Sequence, residues 1–215
     1  VISVAGPASV DLTLCEPPAD WIGDVGREIY TTETMFSLKD PVAMGLGGNG
    51  AAAAFVLGQL GLRVRLNAPI GDDPAGSLVR TWLEQAGVQI IAPPGRSTML
   101  AITAVDGQDR RLGCLQYPGP TVDWTLSSSD TDATWLLIGV HAKVPVADLD
   151  QIQKVLGDFR QQGRIGVLDS GVGWLGHVKP DRIHELWSHV VLGNRTNNAV
   201  GDWTGCYTPM AMAES

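Results

Sequence analysis

The feature that most constrains this chain is a glycine-rich stretch, Met-Gly-Leu-Gly-Gly-Asn-Gly, at residues 44–50. A mostly apolar run over residues 51–60 follows it, and Gly61 stands where a glycine commonly ends a helix. Glycines tolerate positive φ and let another group approach the backbone closely. A helix that begins at such a turn presents unpaired N–H groups and the positive end of its dipole. The stretch therefore predicts a binding site for an anion or a hydroxyl-rich ligand.

The charge balance narrows the range of ligands. With 15 Lys and Arg against 23 Asp and Glu, the chain has a net charge of −8 and contains no basic cluster. Nucleic acids and anionic membranes both need Lys and Arg to neutralise their phosphates, so neither is expected as a partner. A length of 215 residues, 44% of them hydrophobic, fits a single domain over residues 1–215 with a well-buried core.

The three cysteines, Cys15, Cys114 and Cys206, are widely spaced and contain no CxxC pair. They are typical of reduced thiols in a cytoplasmic protein and predict neither a disulfide framework nor a zinc site. The histidines show no metal-ligand spacing, and we expect no metal site formed by these residues alone. The longest apolar run is too short to span a bilayer, and the first residues lack the basic region of a signal peptide.

Both ends of the chain are typical of a fragment. It starts at Val1 without a methionine and stops at Ser215, within a helix predicted to begin near residue 208. We therefore expect a piece of a longer protein whose C-terminal part is missing.

The order of strands and helices predicts an α/β fold. Short β-rich runs alternate with helical runs, one of which begins at a cap formed by Asp73 and Pro74. Strands are predicted at residues 1–5, 63–70, 88–92, 135–139, 165–168 and 190–192, and helices at 51–60, 74–86, 149–159 and 180–187. Such alternation predicts a three-layer α/β/α sandwich around a mostly parallel, Rossmann-like sheet.

Three further segments predict a second, smaller sheet. Residues 28–38 are rich in Thr, Tyr, Ile and Phe, which favour strands. Residues 98–105 and 110–115 are also strand-like, and residues 106–109 (Asp-Gly-Gln-Asp) form a plausible hairpin turn between them. No helix separates residues 28–38 from the first predicted strand, so we expect that segment to be an antiparallel excursion from the main sheet. The antiparallel pair at 98–115 can join it in a small accessory sheet.

Asp11 is the first candidate binding residue, since it lies five residues beyond Gly6 and the first predicted strand. Parallel α/β sheets bind ligands beyond the carboxyl ends of their strands. A carboxylate at that place can accept hydrogen bonds from two neighbouring hydroxyls. The alternative is an aspartate that only caps a turn, and Asp169 after a later strand has the same two interpretations.

Residues 45–50 also satisfy the GxGxxG pattern of dinucleotide-binding proteins, which alone is a weak indication. That fingerprint directly follows a strand, whereas residues 39–44 are a poor strand and contain Pro41. No acidic residue ends the next strand before Ile70. An NAD-dependent oxidoreductase is therefore a distant alternative.

A longer pattern runs through the chain at fixed spacing. A Gly-Gly turn opens a helix of small residues, Leu-Gly closes that helix, and a strand leads to Gly-Asp-Asp and another helix. These elements are Gly47-Gly48, Ala51–Ala54, Leu60-Gly61, Arg63–Ile70 and Gly71-Asp72-Asp73. The pattern resembles the N-terminal signature of the ribokinase-like (PfkB) carbohydrate kinases. The resemblance extends over nearly the whole chain, through Gly6…Asp11, Leu83…Gly87-Val88, Val105…Arg110 and Asn194…Gly205.

The resemblance implies an α/β sandwich with a β-sheet lid that closes over a sugar, its strands lying within residues 12–38 and 98–118. It implies transfer of the γ-phosphoryl group of ATP to a sugar hydroxyl, with Mg²⁺ bridging the phosphates. A monovalent cation and a homodimer paired through the lids also fit the family.

The resemblance further implies which residues bind the sugar. In the family, the positions that match Asp11, Gly47 and Gly48 contact sugar hydroxyls. The position of a further sugar-binding asparagine is occupied by Ala52 here, and the nearby Asn49 is the candidate to replace it.

Departures on the phosphate side leave two functions open. The family's Asn-x-x-Glu motif near the phosphates and Mg²⁺ reads Asn194-Arg-Thr-Asn197 here, so an amide replaces a carboxylate. The Gly-Ala-Gly-Asp motif that carries the family's general base does not occur between Asn194 and Ser215, and we expect it beyond Ser215. The chain alone would then be inactive as a kinase. The alternative is a non-catalytic pseudokinase that binds a sugar or nucleoside.

Overall fold

The computed structural model describes residues 1–17, 40–108, 111–117, 119, 121–129, 132–140, 146–170, 185–186, 188–189 and 192–195. Within this part of the chain, ten strands, three α-helices and one 3-10 helix form. The strands are β1 (Ile2–Ala5), β2 (Ser9–Cys15), β3 (Ala43–Gly47), β4 (Val64–Asn67), β5 (Gln89–Ile90), β6 (Met99–Val105), β7 (Arg111–Tyr117), β8 (Trp135–Val140), β9 (Ile165–Ser170) and β10 (Leu192–Arg195). The helices are α1 (Asn49–Gln59), α2 (Pro74–Gln85) and α3 (Val146–Gln161), and the 3-10 helix covers Trp124–Ser129.

Six strands form the larger sheet, sheet A, in the order β10-β9-β8-β1-β4-β5. All of its strand pairs are parallel, which confirms the predicted mostly parallel α/β fold. The chain moves outward from β1 through β4 to β5 and then returns to the other side of β1 for β8. The strand order therefore reverses between β1 and β8, the kind of place where open α/β sheets bind ligands.

Helices cover both faces of sheet A, which gives the three predicted layers. On one face, Val4 and Leu66 are fully buried in one cluster with side chains of α1 and α2. On the other face, Leu136 and Ile138 are fully buried in a cluster with α3 and Trp124 of the 3-10 helix. The residues whose helical spacing predicted α3 all belong to that buried cluster: Leu149, Ile152, Leu156 and Phe159.

The predicted helix ends are confirmed. Asp73 caps α2 through its side chain, which accepts a hydrogen bond from the N–H of Gly76. Gly61 ends α1 with φ at 80°, and the N–H of Gly61 donates to Gly58 O while that of Leu62 donates to Leu57 O. This pair of bonds is a Schellman motif, in which the glycine takes a left-handed conformation that satisfies the last carbonyls of the helix.

A second sheet of four strands, sheet B, has the order β3-β2-β6-β7. The hairpin predicted at 98–115 is confirmed as the antiparallel pair β6 and β7. The strands β2 and β6 are parallel, a pairing that the sequence did not predict. Residues 28–38, predicted as strand, lie outside the described residues.

Two strand predictions need correction, beginning with β3. The sequence predicted a poor strand over residues 39–44 and a turn from Gly45 onward, but Gly45 and Gly47 lie in β3. Glycine and alanine have a low intrinsic preference for strands, but antiparallel pairing with β2 holds this segment in the extended conformation. Because β3 belongs to sheet B, the glycine turn still lacks the parallel β-α-β setting of a dinucleotide site.

Pairing also moved two candidate residues into strands. Asp11 lies inside β2, although a position in a loop after the first strand was expected. Asn194 lies inside β10, which begins at Leu192 and pairs with β9, although a strand ending at residue 192 was predicted. The helix predicted over residues 180–187 lies mostly outside the described residues.

The N-terminus of α1 lies directly against the carboxyl edge of sheet A. A Cβ on Gly50 would lie 2.6 Å from the carbonyl carbon of Gly6, and a Cβ on Gly139 would lie 2.9 Å from Cβ of Asn49. Real Cβ contacts are not this short, so the three glycines let helix and sheet backbones touch. This contact sets α1 at the point where the strand order reverses.

We predict that Gly50→Ala lowers the free energy of unfolding by about 1–3 kcal/mol, because the methyl group must displace backbone that has no room to move. Urea unfolding of the two proteins measures the difference. Gly45→Ala is the matched control, since a Cβ there meets nothing within 4 Å and should change stability by about 0.5 kcal/mol or less. Equal effects of the two substitutions would contradict the close crossing.

Candidate functional site

Asp11 and Gly47 lie together where sheet B meets the body of the protein. A Cβ on Gly47 would overlap the carboxylate of Asp11, so the carboxylate occupies the space that a side chain at residue 47 would fill. The hydroxyl of Ser9 donates to Asp11 Oδ1 at 2.7 Å. The carboxylate is therefore oriented by one side chain and lies over bare backbone.

Gly48 forms the turn between β3 and α1. Its φ is 81°, and a Cβ there would lie 2.9 Å from Cα of Ala8, so both conformation and space require glycine. Gly48 caps α1 without a side-chain hydrogen bond. The first N–H groups of α1 have no acceptor within the helix, because no helical residue precedes them. The positive end of the helix dipole therefore lies one residue beyond Gly47, next to the Asp11 carboxylate.

Asn49 is the first residue of α1, and its side chain is directed to sheet A. Its Nδ2 donates to the carbonyl oxygen of Val140 at 3.1 Å, which ties α1 to the end of β8. Ala52, one turn further along, is exposed. The role of Asn49 as a sugar ligand stays a prediction.

Three residues form a row across the carboxyl edge of sheet A. In the strand registers, Gly139 of β8 pairs with Asp169 of β9, and Asp169 pairs with Asn194 of β10. Neighbouring strands are about 4.8 Å apart, so Asn194 lies about 10 Å from Gly139, the residue that contacts the start of α1. The predicted phosphate-side residue therefore shares one edge with the predicted sugar-side turn. Asn197 lies outside the described residues.

The carboxylate of Asp73 connects α2 to sheet B as well as capping the helix. Its Oδ2 accepts from the N–H of Thr98, and its Oδ1 accepts from the Thr98 hydroxyl, each at 2.7 Å. Burial acts to raise the pKa of Asp73, but these bonds and the one from Gly76 outweigh it and hold the pKa below its ordinary value of 3.8. The sequence predicted the cap and missed the contact with Thr98.

Two other contributors were not predicted. Arg80 of α2 donates through Nη2 to the carbonyl oxygens of Ile70 at 2.9 Å and Gly71 at 3.0 Å, which holds the Gly-Asp-Asp turn. Ser9 orients Asp11. Of these two, only Ser9 could have been found from the sequence, because it lies two residues before Asp11 and residues two apart in a strand share a face.

Within the described part of the chain, no helix is long and apolar enough to span a bilayer. Among the same residues, no three side chains of His, Cys, Asp or Glu come together as they would around a metal ion.

Solved kinases share this combination of a parallel sheet with a small second sheet. The adenosine kinase of Sinorhizobium meliloti matches with a TM-score of 0.73 at 14% identity, over 99% of this chain and 70% of that one. The fructokinase of Xylella fastidiosa with bound ATP gives 0.67 at 17%, over 95% and 63%. The ribokinase of Cryptococcus neoformans var. grubii serotype A in complex with ADP gives 0.64 at 22%, over 94% and 58%. At these identities the likeness establishes the ribokinase-like fold.

The sequence also assigns the chain to a family, which the fold alone does not. The sequence profile of the pfkB family carbohydrate kinases matches residues 14–144, more than half of the chain. The chain belongs to this family, which confirms the resemblance found in the glycine pattern. No curated protein sequence matches it significantly. The chain spans less than two thirds of the length of the fructokinase and the ribokinase.

The lowered pKa of Asp73 predicts an acid-sensitive contribution to stability. Because the pKa is lower in the folded protein than in the unfolded one, the contribution is complete above about pH 5 and is lost as the pH falls through the folded pKa. Asp73→Asn should therefore cost about 1–2 kcal/mol at pH 7 and less below pH 4. Urea unfolding of both proteins from pH 3 to pH 7 measures this gap.

Asp72→Asn is the control for this series. The Asp72 carboxylate is exposed and paired with Arg80 at 3.0 Å, a contact that contributes little. A gap for Asp73→Asn that is constant with pH, or that widens in acid, would contradict the prediction.

Proposed function

We propose that the complete protein is an ATP-dependent kinase that phosphorylates a hydroxyl of a sugar or sugar-like compound, and that this chain is its substrate-binding part. The observation that carries the proposal is the Asp11 carboxylate, held by Ser9 over the bare backbone of Gly47 beside the start of α1. Membership of the pfkB carbohydrate kinase family supports the class of reaction.

The chemistry of this place suits a polyol. One carboxylate has acceptor sites for several donors, and Ser9 takes only one of them at Oδ1. A pair of neighbouring hydroxyls can therefore bind to Asp11, while Gly47 and Gly48 let a sugar ring approach the backbone. Among the first N–H groups of α1, that of Ala51 already donates to the Pro7 carbonyl oxygen at 3.1 Å, so those of Asn49 and Gly50 are the donors for further oxygens.

Sheet B is suited to act as a lid because its two faces differ. In the strand registers, Asp11, Thr13, Thr103 and Gln116 share one face, whereas Val10 and its cross-strand neighbours form an apolar face. The polar face would cover the bound sugar. Its closure would exclude water, which competes with the sugar hydroxyl for the phosphoryl group.

The phosphate side is assigned to the edge of sheet A that carries Asp169 and Asn194. Carboxylate and amide oxygens are groups that Mg²⁺ binds directly or through water, so these residue types fit an ATP–Mg²⁺ complex. When bound, Mg²⁺ neutralises charge on the phosphates. The family's general base is proposed to lie beyond Ser215, in the length by which the solved kinases exceed this chain. A monovalent cation stays a prediction.

The test of the sugar site is Asp11→Asn in the complete protein, compared with the exposed Asp40→Asn as a control. We expect the affinity for the substrate sugar, measured by calorimetry, to fall about 10- to 100-fold, because a charged hydrogen-bond acceptor is lost. Gly47→Ala should have a similar effect, since its methyl group displaces the carboxylate.

A screen of pentoses, hexoses, sugar acids and nucleosides first identifies the compound. If Asp11→Asn and the control bind it equally, the assignment of Asp11 is wrong. If the wild-type protein binds it but transfers no phosphoryl group from ATP, the protein is the pseudokinase that the residues Ala52 and Asn197 left open.

We further propose that the apolar face of sheet B pairs with the same face of a second copy. Two apolar rows cross all four strands in register: Leu46, Val10, Leu100 and Tyr117, and Met44, Leu12, Ile102 and Leu115. Near the body the face is covered, since Val10 is 2% exposed and Leu12, Leu46 and Leu100 pack against the buried cluster of α1 and α2. Further out it is open, with Met44 55%, Tyr117 54% and Leu115 47% exposed. Sheets with such faces pack on each other in pairs.

Leu115→Lys should convert the protein from dimer to monomer in sedimentation velocity, because it buries a charge in the proposed interface. Gln116→Lys, the next residue on the same strand but on the opposite face, is the matched control and should leave the dimer intact. A monomeric wild-type protein, or a Leu115→Lys dimer, would reject this interface.

A further inference from the structure

The first turn of α2 is tied to the beginning of β6 by a compact set of hydrogen bonds. Thr98, which directly precedes β6 and is 3% exposed, gives both its N–H and its hydroxyl to the carboxylate of Asp73 at 2.7 Å. The N–H of Gly76 completes the set at 2.7 Å. The carboxylate therefore bonds at once to its own helix and to the residue that directly precedes a strand of sheet B.

The surroundings of this contact are closely packed. The N–H of Gly71 donates to the Thr98 hydroxyl at 3.0 Å, and a Cβ on Gly71 would lie 2.5 Å from the Ser97 backbone. A Cβ on Gly76 would lie 2.7 Å from the Thr98 hydroxyl. Gly71 also forms a parallel bridge with Gly95. Thr98 is thus held between the backbone of Gly71 and that of Gly76, and its hydroxyl is bonded to both Gly71 and Asp73.

A short path leads from Thr98 to the sugar-binding carboxylate. Met99, the next residue, pairs with Ser9 in the parallel register of β6 and β2. Ser9 donates its hydroxyl to Asp11 Oδ1 at 2.7 Å. Hydrogen bonds and strand pairing therefore connect Asp73 on the body with Asp11 on the lid.

We infer that Asp73 and Thr98 are positioning residues. Their contact is an anchor that fixes the start of β6 to α2, so that Ser9 and Asp11 on the neighbouring strand β2 lie at the sugar site. The inference rests on the proposed function for its effect on the sugar, and on the described contacts for the anchor itself. Neither residue touches the sugar. Their effect is on where the β2 strand lies before the sugar binds, so it falls on sugar affinity and not on the phosphoryl transfer.

The anchor is tested without any sugar by hydrogen–deuterium exchange of this chain. In Asp73→Asn and in Thr98→Val, the amides of β2 and β6 should exchange about tenfold faster relative to those of β1 and β8 than they do in the wild type, because the hydrogen bonds that close this region are lost. The amides of β1 and β8 should accelerate only as far as the lower free energy of unfolding of each variant requires. Thr98→Ser, which keeps the hydroxyl, should restore protection, and Asp72→Asn should leave exchange unchanged.

The positioning role is tested on the complete kinase with the sugar found by the substrate screen. The KM for the sugar should rise about tenfold in Asp73→Asn and Thr98→Val, while kcat and the KM for ATP stay within about twofold. Thr98→Ser should return the sugar KM toward the wild-type value. Faster exchange with an unchanged sugar KM would make the contact purely structural and overturn the positioning role.

Equal acceleration of exchange in β1, β8 and β2 would show general destabilisation and overturn the anchor. If the complete protein binds no sugar, the proposed function fails while the exchange data still decide the anchor: unchanged protection of β2 and β6 in both variants overturns it.

Discussion

The contact on which the rest of this structure depends is the crossing of the α1 backbone over the carboxyl edge of sheet A. Gly50 meets Gly6 after β1, and Gly139 of β8 meets the start of the same helix, at distances that admit no Cβ. Because the strand order reverses at this point, the positive N-terminal end of α1 lies where a ligand can reach it. The turn at Gly48 joins β3 to α1, so this strand of sheet B ends at the same place.

The two functions proposed for sheet B both follow from its strand pairing. The registers collect polar side chains, with Asp11 among them, on one face and two apolar rows on the other. The polar face suits a sugar, and the apolar face suits a second copy. The segment before β2 is attached to α1 by the hydrogen bond from Ala51 N–H to the Pro7 carbonyl oxygen at 3.1 Å. The residue before β6 is attached to α2 by the contact of Asp73 with Thr98.

Much of sheet A and its helices could be predicted, because their signals lie within a few residues. The cap at Asp73, the glycine that ends α1 and the buried spacing of Leu149, Ile152 and Leu156 each act within one or two helical turns. The prediction failed where pairing decided the outcome. β3 contains two glycines and became a strand because β2 lies beside it, and β10 continued through Asn194 because β9 does.

By itself, the sequence determined the alternation of strands and helices, the helix ends and the family signature of glycines and aspartates. These depend on backbone conformation and local hydrogen bonding, which neighbouring residues set. Only the tertiary structure decided that the Asp11 carboxylate lies over Gly47, and that Asp73 reaches Thr98, a residue 25 positions away. Contacts of that kind depend on how sheets and helices pack, and no local pattern specifies which distant backbone will fill the space beside a given side chain.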